Sequence, residues 1–303
     1  MDPYVQVVNT CVLGEGPHWD GTKQELFYVD IEGTSVNRYN PVTNDHARVT
    51  IAGQGGVSLV VPVSPLVAPN QYVVSTGRDL QMMEWDGVSS TPTSLTKILS
   101  IDASFPSNRF NDGKCDASGR LWAGSMDESG GTNGNLYKIQ RGAETLMETG
   151  ISISNGIAWS SDNLLMYYID TPTRRVDVFD FNGVAGTIAN RRTVYDFNTV
   201  GEAGSPDGMT IDANGHLYVG CWGGFQMIHI DPTTGQKVKS IPFPTANITS
   251  AAFGGRNLDT LFVTSATSGL SEIDLAGQPA AGSLFQVTNL GVRGQNVGNP
   301  YLP

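Results

Sequence analysis

The stretch "DGMTIDANGHLYVGCWGGFQMIHID", Asp207–Asp231, sets out one structural unit of the chain. A short apolar strand meets a turn of Asp, Asn and Gly. A second strand of aromatic and β-branched residues follows, then a third. Such residues favour a pleated, half-buried surface, and "DANG" is a hairpin signal. The phrase recurs from Gly16 (GPHWDGTKQELFYVDIEGTSVNRYN), more loosely from Ser58 (SLVVPVSPLVAPNQYVVSTGRDLQMMEWD), then from Asp112 and Asn155. The last copy starts at Ser250 and is completed after a gap by "GSLFQVTNLG". Six units of three or four strands, repeating every roughly 40–50 residues, are the pattern of propeller blades. The predicted fold is all-β, a six-bladed β-propeller forming a single domain over residues 1–303. A pair of sandwiches competes on strand content, but one period runs the full length and no Pro/Ser-rich linker divides it. "VQVVNTCV", Val5–Val12, is left over before the first unit. It is expected to complete the last blade, because ring closure removes exposed sheet edges.

Composition narrows the function. Hydrophobic residues make up 39% and charged residues 16%, which suits a packed globule and argues against disorder. The net charge of −11 and the absence of a basic stripe argue against nucleic acid and suit a cation better than a polyanion. No apolar run approaches the ~18 residues of a membrane span. No signal peptide is visible at the N-terminus. Cys11, Cys115 and Cys221 are widely spaced and odd in number, so neither a disulfide framework nor a thiolate zinc site is expected. A reducing, cytoplasmic location fits.

In a propeller, residues at the start of each innermost strand converge on the mouth of the central channel. One such residue per unit is Glu15, Ser58, Asn111, Asn155, Asp207 and Thr249. Four of these are carboxylates or carboxamides, hard oxygen ligands suited to Ca²⁺, Mg²⁺ or Mn²⁺, with Zn²⁺ possible through carboxylate. Asn, Asp and Ser are also ordinary turn residues, so any one alone reads as structural. Glu15 does not: it sits between two glycines, and a carboxylate beside apolar strands is costly unless paired or cation-bound. The histidines His18, His46, His216 and His229 show no HxH or HxxxH spacing, which disfavours a histidine-rich metal site and a Ser-His-Asp triad. "NRFNDGK", Asn108–Lys114, places Arg109 two residues from Asn111, on the same side of an extended segment. Asp112 points the other way unless the chain bends sharply, and the head of Lys114 is expected in solvent.

"GEGPHWD", "NRFNDGKCDASGRLWAGSM", "SNGIAWSSD", "YYID", "SPDGMTIDANGHLYV", "TSAAFGG" and "TNLGVRG" resemble the signature segments of the SMP-30/gluconolactonase/regucalcin family, from about Leu13 to Gly294. The wording is similar to the insect branch that includes luciferin-regenerating enzyme. The resemblance implies one divalent metal in the channel, held by Glu15, Asn155 and Asp207, with Asp207 also acting on water. It implies that Arg109 and Asn111 meet substrate hydroxyls with Asp112 close by, and that the substrates are sugar lactones. One departure concerns the loop after "GSM", which is short and carries only Asp127 and Glu128 as acids; Glu128 is its expected substrate contact.

The chemistry agrees with that expectation. A lactone needs a polarised carbonyl and an activated water, and one divalent cation supplies both. Arg109 can donate to a substrate oxygen in a fixed fork. The expected activity is therefore a metal-dependent hydrolase of small lactones or esters. The alternatives are a calcium- or small-ligand-binding propeller without catalysis, a luciferin-regenerating-type protein, and, more weakly, a protein-interaction propeller.

Overall fold

The computed structural model describes residues 4–9, 11–53, 55–295 and 298–303. Six four-stranded antiparallel sheets make up a six-bladed β-propeller. The innermost strands of the blades are Gly14–Asp20, Val60–Pro62, Asn108–Cys115, Ser154–Trp159, Ser205–Ile211 and Ile248–Gly254. Neighbouring blades meet along these strands, the third blade's strand meeting Gln71–Thr76 of the second blade, and the first strand meets the last. The last blade takes its outer strand from the other end of the chain: Tyr4–Asn9 pairs antiparallel with Ser283–Val287. The expected closure is present, with the strand ending before Cys11. Among the described residues, no helix is long and apolar enough to cross a membrane.

Local turn chemistry sets the hairpins. In "DASG", the Asp116 carboxylate accepts from the Ser118 and Arg120 amides at 2.9 and 3.2 Å, and Gly119 takes φ +73°. An Asx turn followed by a left-handed glycine reverses the chain between the first two strands of the blade. The apolar side chains then pack between blades. One cluster joins Tyr167, Ile169 and Val178 of the fourth blade to Met209, Val219 and Ile228 of the fifth. Another joins Trp122 and Leu136 of the third to Trp159, Phe179 and Phe181 of the fourth. Six such seams, each shared by two neighbours, replace a single central core. Each fully buried large side chain contributes roughly 1.5–3 kcal/mol. The axis of the ring is thereby left free for polar groups.

Five of the six innermost strands carry a β-bulge, at Gly16–Pro17, Asn111–Asp112, Asn155–Gly156, Asp207–Gly208 and Thr249–Ser250. In each, two residues face one on the neighbouring strand. A bulge re-aims side chains that strict alternation would send to opposite faces.

The far end of the channel is built differently. The C-terminal segment crosses it and touches every blade. Arg293 O accepts from the Ala213 amide, Gly294 N donates to Leu258 O, and Gln295 N donates to Ile211 O while its side chain reaches Trp159 O. Gly298 lies against the Trp19 carbonyl, and Asn299 Nδ2 reaches Cys115 O. Tyr301 is buried and exchanges backbone bonds with Pro62 and Ser64, and Leu302 N donates to Gly119 O.

Candidate functional site

The bulges bring the candidate residues to one mouth of the channel. Arg109, Asn111, Asp112, Asn155, Asp207 and Glu15 are all buried. A chain of polar contacts crosses three blades. Glu128 Oε1 accepts from Arg109 Nε at 3.0 Å, and Arg109 Nη1 donates to Asn111 Oδ1 at 2.7 Å. Asn111 Nδ2 donates to Ser154 O at 2.8 Å and to Asn155 Oδ1 at 3.1 Å. Asn155 Nδ2 reaches Thr171 Oγ1 at 2.7 Å, and that hydroxyl donates to Pro206 O at 2.8 Å, beside Asp207.

Three acids face one another without enough positive charge. Burial first, and Asp112 second, push the Glu15 carboxyl up to about 8. Burial, then Glu15 and Asp112, hold Asp207 well above the usual carboxylate range. Burial raises Asp112 as well. Glu15 is turned inward by its neighbour: Gly16 adopts φ +52°, where a side chain is strained, and its amide donates to Glu15 Oε2 at 3.0 Å. The register also shows that Glu15 precedes its bulge by one residue, whereas Asn111, Asn155 and Asp207 each open theirs. A pattern of one residue per blade does not reveal this offset.

Two members of the per-blade set are taken up by structural hydrogen bonds instead. Ser58 Oγ pairs with Ser75 Oγ at 2.7 Å. Thr249 Oγ1 donates to Gly14 O at 2.6 Å and meets Thr264 Oγ1 at 2.8 Å. Asp112 does not point away from Asn111, because the bulge turns it into the same electrostatic field as Glu15 and Asp207. Glu128 stands on the rim, about half exposed, with Arg109 as its partner.

The head of Lys114 is not in solvent. Its Nζ crosses to Met209 O of the fifth blade at 2.9 Å, and burial lowers its pKa against the pull of Asp112 and Glu15. His18, also buried, is pushed down to about 3 by burial and then by Lys114, so it is neutral. Alternation beyond the bulge, Asp112 then Lys114, is the signal that would have found the lysine. The histidine spacing misled in another way: His216 and His229 come together across a hairpin with Asp212, their ligand atoms all within 4.8 Å.

These residues suit a divalent cation at the mouth. Several buried acids sharing one space are unfavourable as anions unless a cation joins them, and the donors gathered there are oxygens. Fold and geometry together define a propeller whose channel mouth gathers buried acids and amides. The chain belongs to the SMP-30/gluconolactonase/LRE-like family, whose pattern matches residues 13–267. It is similar to regucalcin of Bos taurus, 35% identical over 294 residues that cover 94% of this chain and 93% of that one. A solved luciferin-regenerating enzyme superposes with a TM-score of 0.92 at 35% identity, covering 98% of this chain and 97% of that chain. A calcium-binding regucalcin of Agrobacterium tumefaciens shares the fold, with a TM-score of 0.88 at 24% identity over 100% of this chain and 98% of that chain.

Proposed function

We propose that the protein is a divalent-metal-dependent hydrolase of small lactones. The observation that carries the reading is the meeting of buried Glu15, Asp112 and Asp207 at one channel mouth, beside Asn155 and an Arg109–Asn111 pair. In this reading Glu15, Asn155 and Asp207 hold the ion, which can be Ca²⁺, Zn²⁺, Mn²⁺ or Mg²⁺. Bound there, the cation would polarise a carbonyl oxygen and lower the pKa of a water molecule.

The chain's own groups do the rest. Asp207 accepts the proton of the attacking water. Arg109, already oriented by Glu128 and Asn111, donates to the oxygen that gains charge as the carbonyl is attacked. Asn111 fixes a substrate hydroxyl, and Asp112 lies within reach of the same space. Lys114, tied to the fifth blade below these acids, offsets part of their charge. Cys11, Cys115 and Cys221 are buried, with no disulfide among the described residues, which supports a reducing, cytoplasmic setting for this chemistry.

A second reading uses the same site for luciferin-regenerating-type chemistry, and the likeness to that enzyme at 35% identity favours it equally. A third, calcium binding without turnover, is supported by the regucalcin relatives. A lactone and ester panel assayed with each of the four cations tests all three. Hydrolysis of sugar lactones that disappears with chelator and in Asp207→Ala supports the proposal. Tight Ca²⁺ binding with no turnover on any panel member overturns it.

A further inference from the structure

The third and fifth blades close the same turn with different chemistry. In both, an aspartate directly follows the innermost strand. Asp116 Oδ1 accepts from the Ser118 and Arg120 amides, and Asp212 Oδ1 accepts from the Asn214 and His216 amides at 2.9 Å each. In the third blade the second oxygen, Asp116 Oδ2, is satisfied by Arg120 Nε at 2.7 Å and Trp122 Nε1 at 2.9 Å. In the fifth blade His216 stands where Arg120 stands, and Tyr218, where Trp122 stands, sends no donor to the acid. Asp212 Oδ2 is buried and, among the described residues, has no hydrogen-bond partner. A buried carboxylate oxygen left unpaired is costly.

What faces that oxygen is a pair of imidazoles. His229 lies on the third strand of the blade, paired in register with Tyr218 and stacked on its ring at 4.4 Å. Its Nε2 is 3.7 Å from Asp212 Oδ2, beyond hydrogen-bond reach, and 3.0 Å from His216 Nδ1. Ligand atoms about 2.0–2.1 Å from one tetrahedral ion stand roughly 3.3 Å apart, and these two separations bracket that value. Two nitrogens and one carboxylate oxygen suit Zn²⁺ or a similar transition metal, not Ca²⁺ or Mg²⁺. His216 is half-buried, and Ala213 and Asn214 of the same turn line an open depression of ≈ 590 Å³.

We propose that Asp212, His216 and His229 form a second metal site, specific for Zn²⁺-type ions. It lies at the opposite end of the fifth blade's innermost strand from Asp207. The ion replaces the arginine of the third blade: it neutralises the buried acid and ties the turn to the third strand. Its role is structural, and it is independent of any ion at the channel mouth.

The test compares metal-free wild type with His216→Arg, His216→Ala and Asp212→Asn by Zn²⁺ titration with native mass spectrometry and thermal melts. Each variant is expected to bind one Zn²⁺ fewer than wild type and to lose part of its Zn²⁺-induced rise in Tm. That part is about 3–6 °C at Zn²⁺ near 100 times its dissociation constant. His216→Arg, which rebuilds the third-blade ion pair, should melt in chelator no lower than wild type. Asp207→Ala should leave this site filled, which separates its failure from failure of the channel reading. Equal Zn²⁺ stoichiometry in wild type and all three variants overturns the proposal, as does a wild type that binds no Zn²⁺ outside the channel.

Discussion

The two ends of the central channel are built by opposite means. At the mouth, three blades offer Asn111 and Asp112, Asn155 and Asp207 from the bulges of their innermost strands, a fourth offers Glu15 from just before its bulge, and the groups are acids and amides. At the far end the C-terminal residues 291–295 and 298–303 touch all six blades and bind mainly through backbone groups. One end repeats with the blades and is polar; the other is aperiodic and anchored by Tyr301 in the seam of the second and third blades. If the difference is functional, substitutions at the mouth change chemistry and leave stability nearly intact, and those at the far end do the reverse.

The largest expected effect is at Asp207. Asp207→Ala removes a proposed ligand and the proposed proton acceptor together. Lactone hydrolysis should fall at least about 1000-fold, roughly 4 kcal/mol in the barrier. Calorimetric titration should show the channel ion lost. Full turnover and unchanged metal occupancy would remove Asp207 from the site.

Next comes Tyr301→Ala at the other end. Truncating a buried aromatic costs about 3 kcal/mol, which lowers Tm on the order of 5–10 °C. The kcat/KM of the remaining folded protein should stay within about twofold. A large loss of activity without a loss of stability would show that the far end takes part in the chemistry, and the contrast between the ends would fail.

The same contrast explains what the sequence reveals. The mouth is legible because the blade period marks one position per unit and the residue types there are unusual for strands. The period cannot distinguish Ser58 and Thr249, which bond within and between blades, from Asn111 and Asn155, which open on the channel. It also cannot show that two residues share a bulge, so Asp112 and Lys114 are misplaced by simple alternation. The far end is illegible for a physical reason. Its contacts are mainly backbone bonds of a segment without periodicity. The Asp212 cluster escapes similarly, since strand pairing, not chain spacing, brings His229 to His216.

A middle-sized effect tests the substrate clamp. Arg109→Ala and Asn111→Ala should each lower kcat/KM by more than about tenfold, at least about 1.4 kcal/mol of transition-state binding. Metal affinity should change much less, because neither is a proposed ligand. Unchanged kinetics with a lowered Tm would make "NRFNDGK" a structural turn.

The smallest expected effect belongs to Glu128, and it asks where the site stops. Its carboxylate is half exposed and holds Arg109 Nε at 3.0 Å from outside, while Asn111 holds Nη1 from inside. A rim ion pair in water contributes about 0–1 kcal/mol, because solvent screens it and ordering two long side chains costs entropy. Asn111 and the Phe110 carbonyl still fix the guanidinium when the pair is broken. Glu128→Gln should therefore reduce kcat/KM by about two- to fivefold, acting through the orientation of Arg109. The direct alternative, Glu128 touching substrate itself, makes a different prediction in a double-mutant cycle. If Glu128 works only through Arg109, adding Glu128→Gln to Arg109→Ala changes nothing further. If it binds substrate, the two losses multiply. A multiplied loss would extend the mouth to the loop after "GSM" and place a carboxylate of that short loop on the ligand.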